Sequence, residues 1–173
     1  EYARPALRLG LELQARLGVN PFKFGMMAAS DTHTALSTTR EENYFGKYQK
    51  TEPGPERHNS EVIPADDPKL KIMTSQEAAS GLMAVWAREN TRRDIFDAMK
   101  RKEVYATTGT RLRVRVFAGW DFTADEVTRH DFVAEGYRRG VPMGGDLPKR
   151  PDGAKAPAFM VRALRDTDGA NLD

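Results

Sequence analysis

The chain has 173 residues, 27 basic and 25 acidic side chains for a net charge of +2, with 39% hydrophobic and 30% charged residues and no cysteine. A chain of this length can bury a real core, this composition does not signal disorder, and the lack of cysteine excludes disulfides and thiolate metal sites. No run approaches about 18 consecutive apolar residues, so nothing reads as a membrane span. Acids interleaved among the basic residues argue for solvated faces and against a nucleic-acid groove.

The first predicted element is a helix over residues 2–17. Ala3, Ala6, Leu7, Leu11 and Leu17 form its apolar stripe, with Arg4, Arg8, Glu12 and Arg16 opposite and Gly18 as C-cap. Asn20-Pro21 turns the chain into Phe24 to Ser30, an apolar run without alternation. Such a run reads as a strand buried on both faces of a parallel sheet. Residues 34–75 show no sustained periodicity and carry Pro53-Gly54-Pro55, Pro64 and Pro68. They read as a long loop over the end of that strand.

Gly81 to Ala87 is a second short apolar run, read as a strand. Thr91-Arg92-Arg93-Asp94 has the form of a helix start, and Ile95, Phe96 and Met99 give that helix its apolar face to about Lys102. Val104 to Thr107 and Leu112 to Phe117 read as strands, the second with Arg111, Arg113 and Arg115 on a wet face. A helix within Ala124 to Tyr137, a turn at Pro142 to Asp146 and a strand from Ala158 to Leu164 complete the order. Helix, loop and buried strand give an α/β class, passing near Thr108 to Arg111 into a β-rich part. The expected domains are therefore 1–110 and 111–173. The chain enters a helical pattern directly at Glu1, and after the turn-like Asp166-Thr167-Asp168-Gly169 another strand would be expected. It reads as an internal fragment of a larger protein, with cytoplasm and periplasm both open.

The residues richest in chemistry are Asp31 and His33. Two apart at the carboxyl end of an extended run, they would present a carboxylate and an imidazole on one side. An oxygen and a nitrogen donor together suit a hydrolytic metal such as zinc or manganese. Arg40 and Lys47, in the loop that follows, are the cations best placed to meet an anionic substrate. Glu41, Glu42 and Asn43 read as solvated loop residues, with the substrate mouth as the alternative, and His58 reads as a surface residue. Thr107-Thr108-Gly109-Thr110-Arg111 reads equally as an anion site using backbone N–H groups and Arg111, or as a tight corner needing glycine. Trp86 and Trp120 read as core or domain-interface residues.

Ser30-Asp31-Thr32-His33 after an apolar run resembles the late metal-binding motif of the polymerase and histidinol phosphatase (PHP) superfamily. Several further passages resemble a family of bacterial PHP-like proteins, the domain-of-unknown-function family thirty-six-zero-four. They include Asn20-Pro21-Phe22-Lys23-Phe24-Gly25, Glu42-Asn43-Tyr44-Phe45-Gly46-Lys47, Arg101 to Arg111, and Gly140-Val141-Pro142-Met143-Gly144-Gly145-Asp146-Leu147. The resemblance implies the C-terminal part of a distorted PHP-like (β/α) barrel followed by the start of a β-rich region. It also implies a divalent-metal-dependent hydrolase, with manganese, zinc or iron held in part by Asp31 and His33 and a small-molecule phosphoester as substrate. A sulfate ester and a non-catalytic binding module are the alternatives. The early His-x-His motif and the central His and Glu ligands of that superfamily have no counterpart in this sequence.

Overall fold

The structure, a computed structural model, describes residues 2–32, 59–76 and 81–172. Helix α1 spans Ala3–Leu17 and ends as its sequence predicts: Gly18 takes the left-handed conformation (φ 79°) and its N–H bonds the Gln14 carbonyl. Two short strands, β1 (Glu61–Ile63) and β2 (Ile72–Met73), pair antiparallel. They fall inside the stretch read as structureless.

The next unit is β3 (Leu82–Val85), α2 (Arg92–Lys100) and β4 (Val104–Thr107). Thr91 caps α2, its hydroxyl accepting the Asp94 N–H at 3.2 Å, as the Thr-x-x-Asp pattern predicts. The two strands pair antiparallel, with Val85 opposite Val104 and Leu82 opposite Thr107. The Trp86 N–H extends the ladder by bonding the Glu103 carbonyl at 2.9 Å. The connection through α2 thus leaves and re-enters the sheet at the same end.

That register overturns the expected barrel. A parallel crossover must return its chain to the opposite end of the sheet, whereas this one closes like a long hairpin. Every strand pairing among the described residues is antiparallel. Among the described residues, three helices and small separate sheets make up the architecture, with no closed barrel. Strand–helix–strand spacing alone does not distinguish the two outcomes.

The largest sheet has the order β6-β5-β7, formed by β5 (Arg113–Gly119), β6 (Val141–Pro142) and β7 (Ala158–Leu164). Strands β5 and β7 are in register over their full lengths, from Arg113 opposite Leu164 to Gly119 opposite Ala158. A 3-10 turn at Ala124–Thr128 and helix α3 (Phe132–Arg139) cover one face. The core lies there: Phe117, Phe132 and Met160 are buried, with Phe122 and Val127 packed against them. The Phe117 ring meets Phe132 and Tyr137 edge-on, at 5.5 and 5.1 Å between centroids. Burying one such ring stabilises the fold by about 2–3 kcal/mol.

The alternation along β5 has a different meaning from the one predicted. Arg113 is exposed, but Arg115 shares the Phe117 face and lies over Trp86, Phe117 and Tyr137, 4.2, 5.3 and 5.2 Å from their ring centroids. Opposite it in the ladder, Arg162 lies 4.3 Å over the Phe132 ring and donates to the Val127 and Arg129 carbonyls. Guanidinium planes stack on aromatic faces, so arginine here roofs a core.

Candidate functional site

Residues 23–32 form neither helix nor strand. Phe24, Met26 and Met27 are 40%, 52% and 57% exposed, so the expected strand buried on both faces is corrected to an exposed, irregular track. The apolar run predicts burial, but the β3–β4 sheet beside it has only two strands among the described residues. The track is nevertheless held at defined points. The Asn20 side chain accepts the Phe22 N–H at 2.9 Å, and Lys23 Nζ pairs with Asp146 at 2.8 Å. Gly25 approaches Lys102 and Val104 at the start of β4. Gly81, just before β3, lies so close to Ala29 that a Cβ on it would stand 2.3 Å from the Ala29 carbonyl oxygen. Its φ of 85° independently favours glycine.

At the end of the track Ala28, Ser30 and Thr32 are half-buried, while Asp31 is exposed. The Ser30 and Thr32 hydroxyls lie 2.9 Å apart. Asp31 between them has φ 60°, a left-handed conformation that few residues other than glycine adopt. His33, Arg40 and Lys47 lie outside the described residues. The described chain therefore carries one donor of the predicted metal pair. Among the described residues no three His, Cys, Asp or Glu side chains gather into a cation site.

The Thr107–Arg111 corner is a glycine turn with an internal anion. Gly109 has φ 118°, and the Thr107 hydroxyl donates to the Thr110 carbonyl at 2.6 Å. The Arg111 N–H donates to the Asp166 carboxylate at 2.6 Å. This backbone hydrogen bond, joined by that from Asp168, holds the Asp166 carboxyl below the usual range. The chain thus supplies its own carboxylate to one of the N–H groups that the anion reading would use.

A second polar cluster escapes the sequence reading. Glu103, directly after α2, is 2% exposed. Arg101 donates to it through Nε and Nη2, at 3.2 and 3.0 Å, and the Tyr137 hydroxyl donates at 2.7 Å. Arg115 Nη2 donates to the Tyr137 oxygen at 2.5 Å. Burial first, then the bond to Glu103, pushes the Tyr137 hydroxyl above its ordinary pKa of 10.0. Glu103 and Tyr137 are far apart in sequence, and no local spacing links them.

No curated protein and no solved structure matches this chain. One family model does, described as a protein of unknown function (DUF3604), and the match carries no link to the PHP superfamily. Since it spans residues 1–173, the chain belongs to the DUF3604 family.

Proposed function

We propose that Asp31 and His33 contribute to the metal centre of a divalent-metal-dependent hydrolase acting on a phosphoester. The supporting observation is Asp31 itself, an exposed carboxylate whose backbone is held at φ 60° where a tethered track ends. Left-handed residues other than glycine collect at functional sites because the surrounding structure must hold them there. The resemblance of Ser30-Asp31-Thr32-His33 to the late PHP metal motif gives the reading its chemistry. Ligands beyond the described residues complete the centre.

A manganese, zinc or iron ion, when bound, would supply an activated water and neutralise charge on the departing oxygen. Asp31 offers an oxygen donor, and His33 a ring nitrogen whose tautomer is set by the bond its other nitrogen makes. Arg40 and Lys47 pair with the anionic group of the substrate.

The test is metal analysis of the full-length protein beside a variant carrying Asp31→Ala and His33→Ala. The variant is expected to lose most of the bound manganese, zinc or iron and its phosphoesterase activity together. Equal metal in the two proteins overturns the assignment. Activity on a sulfate ester with none on a phosphoester moves the substrate class and leaves the metal pair standing.

A further inference from the structure

The Glu103 cluster opens onto a cleft of about 690 Å³ between the β3–α2–β4 unit and the β5–α3 face. Trp86, Arg88, Arg101, Glu103, Arg115 and Tyr137 line it. We propose that this cleft binds the dianionic phosphate group of a small phosphomonoester.

Charge selects the ligand. Three guanidiniums against one carboxylate leave an excess of two positive charges along the lining. A phosphomonoester carries about −1.5 to −2 at neutral pH, whereas a carboxylate or a sulfate monoester carries only one negative charge. The single carboxylate is already committed. Glu103 is buried, with one oxygen on Arg101 and the other on the Tyr137 hydroxyl. It therefore orients Arg101 and Tyr137, and its negative charge is already counted in the balance of the lining.

The three arginines are held to different degrees. Arg115 is stacked 4.2 Å over the Trp86 ring, which is itself fixed by its indole N–H on the Val114 carbonyl at 2.9 Å. One of its nitrogens holds the Tyr137 oxygen, and guanidinium carries further N–H donors in a rigid fork. Arg101 spends Nε and Nη2 on Glu103, and Nη1 remains. Arg88 is exposed at the rim and has no hydrogen bond or ion pair among the described residues. Two positioned guanidiniums beside a third that can swing inward form a set suited to a tetrahedral anion. This reading does not rest on Asp31 or His33.

Phenyl phosphate and phenyl sulfate, titrated into the full-length protein, test it. The reporters are the Trp86 indole and arginine Nε–H signals in nuclear magnetic resonance spectra. Saturable shifts with phenyl phosphate are expected, with phenyl sulfate binding several-fold more weakly. Arg88→Gln removes an exposed side chain with no partner among the described residues, so it leaves folding intact and is expected to weaken phenyl phosphate about ten-fold. Arg115→Gln is expected to weaken it further, although this variant also loses the Trp86 stack. No saturable shift, equal affinity for the two esters, or an affinity that Arg88→Gln leaves unchanged would overturn the proposal. The Asp31→Ala, His33→Ala variant is expected to bind phenyl phosphate at this cleft as the wild type does, which keeps the two proposals separable.

Discussion

Gly136 in α3 lies against the face of Phe117 in β5, so close that a Cβ on the glycine would stand 2.4 Å from two ring carbons. The helix can reach the sheet at this distance because the residue has no side chain. The ring cannot retreat, since Phe132 and Tyr137 meet it edge-on and its own exposure is 0%. Gly136→Ala must therefore lift α3 or force Phe117 off its rotamer. A loss of about 1–3 kcal/mol is expected, despite alanine's better helix propensity. Chemical denaturation measures it, and a variant as stable as the wild type would show that the α3–β5 contact has room to relax.

Removing the ring itself tests the same contact from the other side. Phe117→Ala leaves a cavity under α3 and deprives Arg115 and Tyr137 of a packing face. The expected loss is about 3–5 kcal/mol. Phe117→Leu keeps much of the volume and should cost far less, so the difference between the two variants in one denaturation series separates cavity from shape.

At the start of α2 the Thr91 hydroxyl accepts the Asp94 N–H and donates to the Asp94 carboxylate at 2.7 Å. Thr91→Ala leaves a helix N–H without this acceptor, and a loss of about 1 kcal/mol is expected. Thr91→Ser should recover most of it. Thermal melts of the three proteins decide, and a serine variant no better than alanine would rule out the hydroxyl as the cause.

Arg129 grips Asp131 through both carboxylate oxygens, at 2.9 and 2.7 Å. These side-chain bonds hold the Asp131 carboxyl at about 2, against an ordinary 3.8. A depressed carboxylate favours the folded state above its unfolded pKa, so this contribution is complete above about 3.8 and fades as pH falls towards 2. Arg129→Gln should return the Asp131 midpoint towards 3.8 in a carboxyl titration followed by nuclear magnetic resonance. A midpoint that stays near 2 would assign the depression to another group.

Where local chemistry decides, sequence and structure agree. The Gly18 cap, the Thr91 cap, and the bounds of β4 and β7 all follow from residues adjacent in the chain. Where pairing partners decide, the two part. The spacing of β3, α2 and β4 is compatible with a parallel crossover, and only the Val85–Val104 register shows the antiparallel return. The apolar run from Phe24 to Ser30 predicts burial, yet Phe24, Met26 and Met27 are exposed. Arginine alternation along β5 predicts a wet face because charge outweighs the guanidinium's capacity to stack, and Arg115 sits among three rings instead. For the same reason the cleft at Glu103 is invisible in sequence: Arg101, Arg115 and Tyr137 meet only through the fold. Asp31 could be singled out from its neighbours, but its left-handed backbone could not.

That backbone gives a way to separate strain from chemistry at Asp31. Its φ of 60° costs a residue with a side chain about 1–2 kcal/mol, a cost glycine avoids. Asp31→Gly should therefore be neutral to about 1 kcal/mol stabilising, even after its greater chain entropy is counted. Asp31→Asn keeps the side chain's size and its tolerance of the left-handed region, and so isolates the loss of charge. Both variants lose the carboxylate, so both are expected to lose bound metal. Metal content and denaturation midpoint, measured on the same preparations, should move independently. A destabilised Asp31→Gly would mean that the carboxylate is there to hold the loop, and metal loss in that variant would then reflect a damaged fold.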